Sequence, residues 1–445
     1  MLLLIAGVGT LVPFAFWARG GAVFGKRLWT LIGLLPFLQP ALPPLDFALI
    51  SWGTGWPGLV SGLEVTALDL LCVTIWVGLA RPRLHSRFSI VLALYLLAVL
   101  LSIFQADEPT AAVFYFWQVC RVALLLIIVA RASTDPVVRT NLIEGIALGV
   151  LLELAVTVWQ RFALGAIQTP GTFAHQNTLG LVLHFAIFPQ VALLLAGHRS
   201  WTTVLVPLAG MAIVILTTSR AALLYAGLGF LVIYGLSILR HMTLRKGLLG
   251  IVGCLLILSF APLAINSFAK RFEVDPLREQ EYNERAAFER AATGILLDFP
   301  LGVGANHYVY VAKNFGYSDR AGVLANEENR NNLVHNAYLL TAAETGWFGL
   351  TAFVLLLAYP LVAAFRFGWR TGAGPETDLL MGLAVGLLMV CLHSTLEYIL
   401  LIRESQYLLA ITIGLVLGAV RQVRVASEAV DLDPLLPWPL VPAPR

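Results

Sequence analysis

The chain has 445 residues, 59% of them hydrophobic and only 12% charged, with a mean hydropathy of +0.83. An ordinary globular domain carries roughly 25% charged residues, so a soluble fold is excluded and a nucleic-acid partner is not expected. The formal charge of +3 identifies no partner, because in a membrane protein the placement of Lys and Arg carries the information rather than their sum.

Apolar runs of about 20 residues, the length a helix needs to cross a hydrocarbon core of roughly 30 Å, recur from end to end, and the alternation of a transmembrane barrel is missing. The expected fold is therefore an all-α polytopic membrane protein of about 12 to 13 transmembrane helices, with one long periplasmic loop containing short helices. Met1 to Trp17 lacks the basic n-region of a secretory signal and is read as a retained first span. Further spans are expected near residues 28–50, 62–80, 88–105, 111–130, 140–162, 177–196, 202–218, 221–239, 247–265, 337–365, 378–396 and 404–420. Residues 1–425 then form one transmembrane domain, with a loop of about 266–336 inserted between spans. The Pro-rich segment 426–445 reads as a disordered cytoplasmic tail. Cys72, Cys120, Cys254 and Cys391 all fall within apolar runs and read as small core residues.

Basic residues cluster in alternate connections: Lys26 and Arg27; Arg81, Arg83 and Arg87; Arg131 and Arg139; Arg199; Arg240, Arg245 and Lys246; Arg366 and Arg370; Arg421 and Arg424. The positive-inside rule makes these cytoplasmic. The connections at 51–61, 105–109 and 169–171, together with the long loop, then face outward.

Within the long loop, Tyr282, Phe288, Ala291, Ala292, Ile295 and Phe299 recur at helical spacing, predicting a helix over 279–298 that Pro300, Gly302 and Gly304 stop. Arg285 lies one turn from Glu281 and Glu289, which fits an exposed ion pair as well as a functional cation. Arg220 sits in a very short outer turn, where it is either a snorkelling anchor or a ligand for an anion. Where the loop re-enters an apolar run stand His335 and Asn336; the asparagine can cap the helix and leave the imidazole available. Gly346 and Gly349 form a small-residue face suited to close helix packing. Glu344, about two turns into the span, needs a partner or a watery cavity. Mid-span Arg121 needs Asp69 or Glu153 for neutralisation. His393 and Glu397, with Arg403 following, either line the same outer cleft or hold two helix ends together. No nucleotide or metal motif is present, so neither cofactor nor metal is expected. An outward-facing enzyme of this kind needs a donor already activated and already in the membrane.

His335-Asn336, nine residues, then Gly346-Trp347-Phe348-Gly349 resembles the His-Asn/Gly-x-x-Gly pattern of the O-antigen ligase and polymerase superfamily of bacterial inner-membrane glycosyltransferases. Gln160, Gly171-Thr172-Phe173, Asn177, Ser219-Arg220, and Arg285 ahead of Pro300-Leu301-Gly302-Val303-Gly304 agree in order, over residues 150–420. The resemblance implies transfer of a glycan from undecaprenyl diphosphate to an acceptor hydroxyl, lipid A-core or a growing glycan, at the periplasmic face. It implies catalytic roles for His335, Arg220 and Arg285. Arginine can grip diphosphate oxygens by paired hydrogen bonds, and histidine, titrating near 6.5 when free, can accept a proton from the attacking hydroxyl. Displacement at the anomeric carbon would invert it without a metal. Asn336, Tyr338, Gln160, Asn177, His393, Glu397 and Arg403 are the expected substrate-binding residues. A polymerase extending a lipid-linked chain is chemically almost identical. From another class, a lipid or solute transporter would use Arg121, Asp69 and Glu153 as an ion path.

Overall fold

The fold is described from a computed structural model, covering residues 22–42, 46–78, 86–274, 279–370 and 374–432. The expected first span, Arg81, Arg83, Arg278 and residues 433–445 lie outside the described residues. The helices are α1 (Ala22–Leu38), α2 (Ala67–Gly78), α3 (Ser86–Ser102), α4 (Pro109–Ala132), α5 (Pro136–Phe162), α6 (Gln176–Ala196), α7 (Trp201–Thr217), α8 (Arg220–Arg240), α9 (Leu244–Val274), α10 (Glu279–Asp298), α11 (Tyr308–Asn314), α12 (Tyr317–Ala321), α13 (Glu327–Arg330), α14 (Ala337–Arg370), α15 (Pro375–His393) and α16 (Arg403–Leu432). Among the described residues nine helices are long and apolar enough to cross a membrane. The protein is thus an all-α polytopic membrane protein.

Local chemistry sets many of these boundaries. Pro109 and Pro136 open α4 and α5 where a missing N–H costs nothing. Asp135, Ser200 and Ser219 accept hydrogen bonds from the first turns of α5, α7 and α8. α6 is apolar around its circumference and buried along nearly all its length, which makes it the central helix of the bundle.

The sequence reading fails near the start. Instead of apolar spans over 28–50 and 62–80, α1 stops at Leu38, and an antiparallel hairpin of β1 (Asp46–Ser51) and β2 (Gly62–Thr66) precedes the short α2. Hydropathy does not distinguish a β-rich apolar run from a helical one, and here Asp46, Gly53, Gly55 and Gly62 break the helical pattern. Asn306, held at φ 67°, clamps this hairpin from the long loop. Its Oδ1 accepts from Val60 N at 3.0 Å, and its Nδ2 donates to Val60 O at 2.7 Å and Ala111 O at 3.0 Å.

Two opposite faces of the bundle follow from the contacts between helix ends. On one face Arg139 meets Glu376 and Arg240 meets Asp378, each at 3.1 Å. On the other, Ala337 N donates to Ser394 O at 2.9 Å, and Arg161 at the end of α5 reaches Ser267 near the end of α9 at 3.1 Å. The hairpin and the long loop belong to this second face.

α10 occupies the range expected for it, whereas α9 carries the preceding span on to Val274, past the expected loop start at 266. The run 300–304 pairs with α14: Val303 N and Gly304 N donate to Ala343 O and Glu344 O, and Trp347 N donates to Pro300 O. Gly346 has φ 67° and ψ −171° inside α14, and a Cβ there would lie 2.3 Å from the backbone of Leu301. The glycine pair therefore does not form the helix-packing face that its spacing suggests. Gly346 is a kink that admits the loop backbone.

Candidate functional site

The site is built around Glu397, in the short connection between α15 and α16, with only 3% of its surface exposed. Three groups converge on its carboxylate. His335 Nδ1 lies 2.9 Å from Oε2, Asn177 Nδ2 donates to Oε1 at 2.8 Å, and Arg285 Nη2 lies 3.4 Å from Oε1. The local sequence explains each position. Asn336 caps α14, its Oδ1 accepting from Tyr338 N and Leu339 N at 3.0 Å each. This places His335 immediately before the helix with its ring outside it. Asn177 lies in the first turn of α6, and Arg285 lies in the second turn of α10.

An ionised carboxylate can only accept, so His335 carries its hydrogen on Nδ1 and presents Nε2 as the basic nitrogen. Among the described residues Nε2 makes no hydrogen bond, and a quarter of the His335 side chain is exposed. Tyr398 and Phe288 flank the imidazole, with ring centroids 5.6 and 6.2 Å away. Burial works to raise the pKa of Glu397, but the hydrogen bond and charge of His335, followed by Arg285 and His393, hold it below the ordinary glutamate value. The orienting charge is thus kept by its neighbours.

Arg220 opens α8 directly after Thr218, which has φ 51°, and the Ser219 cap. Arg271, near the end of α9, donates to the carbonyl of Thr218. α6 and α8 touch at their first turns, since a Cβ on Gly180 would meet Ala222 at 2.4 Å. One turn beyond Arg220, the ring of Tyr225 packs on His393, centroids 5.3 Å apart. The amino-terminal ends of α6, α8 and α14 consequently share this face, each contributing the positive end of a helix dipole.

The other expected residues are used differently. His393 is fully buried and pairs with His184, 3.2 Å apart; it packs behind Glu397 and does not line an open cleft. Gln160 spends both amide atoms on Gly171, donating to its carbonyl at 2.7 Å and accepting from its N–H at 2.9 Å. It fixes the turn between α5 and α6. Tyr338 donates to Cys391 O at 2.9 Å and ties α14 to α15. Arg403 is taken up by Glu64 and Asp46 at 2.7 Å and Glu404 at 2.8 Å, locking the hairpin to α16.

Glu344, 3% exposed, accepts from Tyr308 N at 3.0 Å. Arg121 takes Asp69 at 2.5 Å, whereas Glu153 accepts from Thr172 Oγ1 at 2.5 Å and Thr172 N at 2.9 Å. The three groups of the expected ion path are therefore divided between two separate networks.

His175 was not expected. It caps α6, its Nδ1 accepting from Asn177 N at 3.1 Å, and it lies within electrostatic reach of Glu397, His335, Arg271 and Arg285. Its signal in the sequence is a lone histidine two residues ahead of Asn177, too slight to single out.

Residues 203–354 match the family model described as O-antigen ligase, a stretch that contains Arg220, Arg285 and His335. No curated protein matches the chain. Over that stretch the protein is similar to the O-antigen ligase family.

Proposed function

We propose that the protein transfers a glycan from undecaprenyl diphosphate to a sugar hydroxyl of lipid A-core, at the periplasmic face of the bacterial inner membrane. The observation that carries this reading is the Glu397 carboxylate holding His335 through Nδ1 at 2.9 Å while also meeting Arg285 at 3.4 Å. That arrangement supports a base with a fixed tautomer beside a permanent cation. His335 Nε2 takes the proton of the acceptor hydroxyl as its oxygen attacks the anomeric carbon, and the bond from that carbon to the diphosphate breaks with inversion. Charge developing on the leaving diphosphate is stabilised by Arg220 and Arg285. The orientation is supported by the arginine-rich opposite face, which the positive-inside rule assigns to the cytoplasm.

A ligase is favoured over a polymerase by the His335-Asn336 to Gly346/Gly349 spacing and by the description of the matched family. The test is purified protein in liposomes with lipid-linked glycan donor, offered lipid A-core and lipid-linked glycan acceptors in parallel. Glycosylated lipid A-core with inverted anomeric configuration is expected. Product on the lipid-linked acceptor alone would make it a polymerase, and movement of donor across the bilayer without new bonds would make it a transporter.

A further inference from the structure

Two histidines stand close to Glu397, and their hydrogen bonds fix opposite tautomers. His335 gives its Nδ1 hydrogen to Glu397 Oε2 at 2.9 Å, which leaves a lone pair on Nε2. His175 is the reverse case. It caps α6, its Nδ1 accepting from Asn177 N at 3.1 Å. A backbone N–H can only donate, so that ring nitrogen is bare and the hydrogen sits on Nε2. An imidazolium, protonated on both nitrogens, could not make this cap.

One turn of chain brings both rings to the same carboxylate. Asn177, two residues after His175, donates from Nδ2 to Glu397 Oε1 at 2.8 Å, while His335 holds Oε2. The charged and titratable groups around His175 are Glu397, His335, Arg271 and Arg285. Loss of hydration on folding is the largest influence on it. With the effect of His335 and the two arginines, it holds the pKa of His175 below the ordinary histidine value against the pull of Glu397. The ring is therefore neutral at pH 7. Among the described residues its Nε2 makes no hydrogen bond, and the residue is exposed.

We infer that His175 is a second catalytic histidine, donating a hydrogen bond from Nε2–H to the departing diphosphate oxygen without giving up its proton. The inference rests on the proposed function and adds to it a neutral donor for the leaving group. The proton of the attacking hydroxyl already has its acceptor in His335 Nε2, and a second donor on that oxygen would weaken the nucleophile. Negative charge grows instead on the oxygen released from the anomeric carbon, which keeps the electron pair of the broken bond. A donor held in place by a helix cap stabilises that charge more in the transition state than in the bound donor. The positive end of the α6 dipole, which opens directly after His175, acts in the same sense.

Two substitutions separate the donor from the cap. In His175→Asn the amide oxygen can replace Nδ1 as the cap, and the Nε2–H is lost. In His175→Gln the amide nitrogen reaches the place of Nε2 as a donor, and the cap is lost. Single-turnover transfer is measured with full-length protein in nanodiscs, from undecaprenyl-diphosphate-linked glycan already bound. His175→Asn should slow transfer about ten- to a hundredfold, the loss of one hydrogen bond to a charged group, with its unfolding temperature preserved. His175→Gln should be faster than His175→Asn although it unfolds at a lower temperature. A purely capping residue would give the opposite order of rates, so His175→Gln no faster than His175→Asn overturns the inference. The nitrogen-15 NMR spectrum of histidine-labelled protein at neutral pH should show His175 protonated at Nε2; protonation at Nδ1 overturns it as well. His335→Ala is run alongside. Full transfer by His335→Ala overturns the proposed function itself, whereas slow transfer by His335→Ala with full transfer by His175→Asn overturns the role of His175 alone.

Discussion

Replacing Glu397 by glutamine removes one charge and almost no volume, so it tests the site's electrostatics without opening a cavity. The carboxylate accepts from His335 Nδ1 at 2.9 Å and from Asn177 at 2.8 Å, and meets Arg285 at 3.4 Å. A glutamine has one acceptor oxygen where the glutamate had two, and its amide nitrogen must face one of these donors. The imidazole is then free to turn or to change tautomer, and Nε2 is lost as the base. An amide in place of the orienting carboxylate in a serine protease triad lowers turnover about 10⁴-fold, and general base catalysis is worth about 10² to 10⁴. Turnover in a reconstituted glycan-transfer assay should therefore fall by about 10² to 10⁴. Donor binding should change by less, because the arginines remain. Turnover within a factor of about two of the original would refute the orienting role, since no general base contribution is that small.

Other expectations follow from the same contacts. Because neighbouring cations hold the pKa of Glu397 below its ordinary value, its stabilising contribution is present above the unfolded value of about 4.3 and is lost as pH falls through the lower folded value. Thermal unfolding in detergent should weaken with acid over that window, and Glu397→Gln should flatten the dependence. Arg220→Lys keeps the charge but loses the fork of donors, so turnover should fall by roughly tenfold or more; an unchanged rate would leave Arg220 as a membrane anchor. Gly346→Ala places a Cβ 2.3 Å from Leu301 backbone at φ 67°, and should lower stability by at least about 1–3 kcal/mol. Asn306→Ala leaves Val60 and Ala111 groups unsatisfied in a buried place and should destabilise by about 1–3 kcal/mol per orphaned group, read as a lower unfolding temperature.

Much of the fold was legible because the hydrocarbon core imposes one length on every span. The long helices from α3 onward lie where apolar runs and flanking arginines put them. The hairpin was not legible. Phe47, Ala48, Leu49 and Ile50 read as continuing an apolar helix, and what makes them a strand is a partner at Leu63 to Val65 and a clamp at Asn306, contacts distant in sequence. The kink at Gly346 was hidden for the same reason: a glycine spacing looks alike whether it receives a helix or the backbone of a loop.

For the site, His335 stood out as an imidazole at a boundary, and Asn336 as its cap. Glu397 and Asn177 were named without any indication that they meet, since 220 positions separate them. Arg403 was misleading in the opposite way. It follows Glu397 closely, yet one turn of backbone directs it to Glu64 and Asp46. Proximity in sequence specifies a side chain's direction only inside a regular helix, and the connection from Ser394 to Ile402 is irregular.

The central claim is that His335 is the base and not merely a support for the fold. Single-turnover transfer by His335→Ala, measured with donor already bound in nanodiscs, tests it most directly. The account predicts donor binding close to that of the unsubstituted protein and transfer slowed by about 10² to 10⁴. Transfer at an undiminished rate from the bound donor would contradict it.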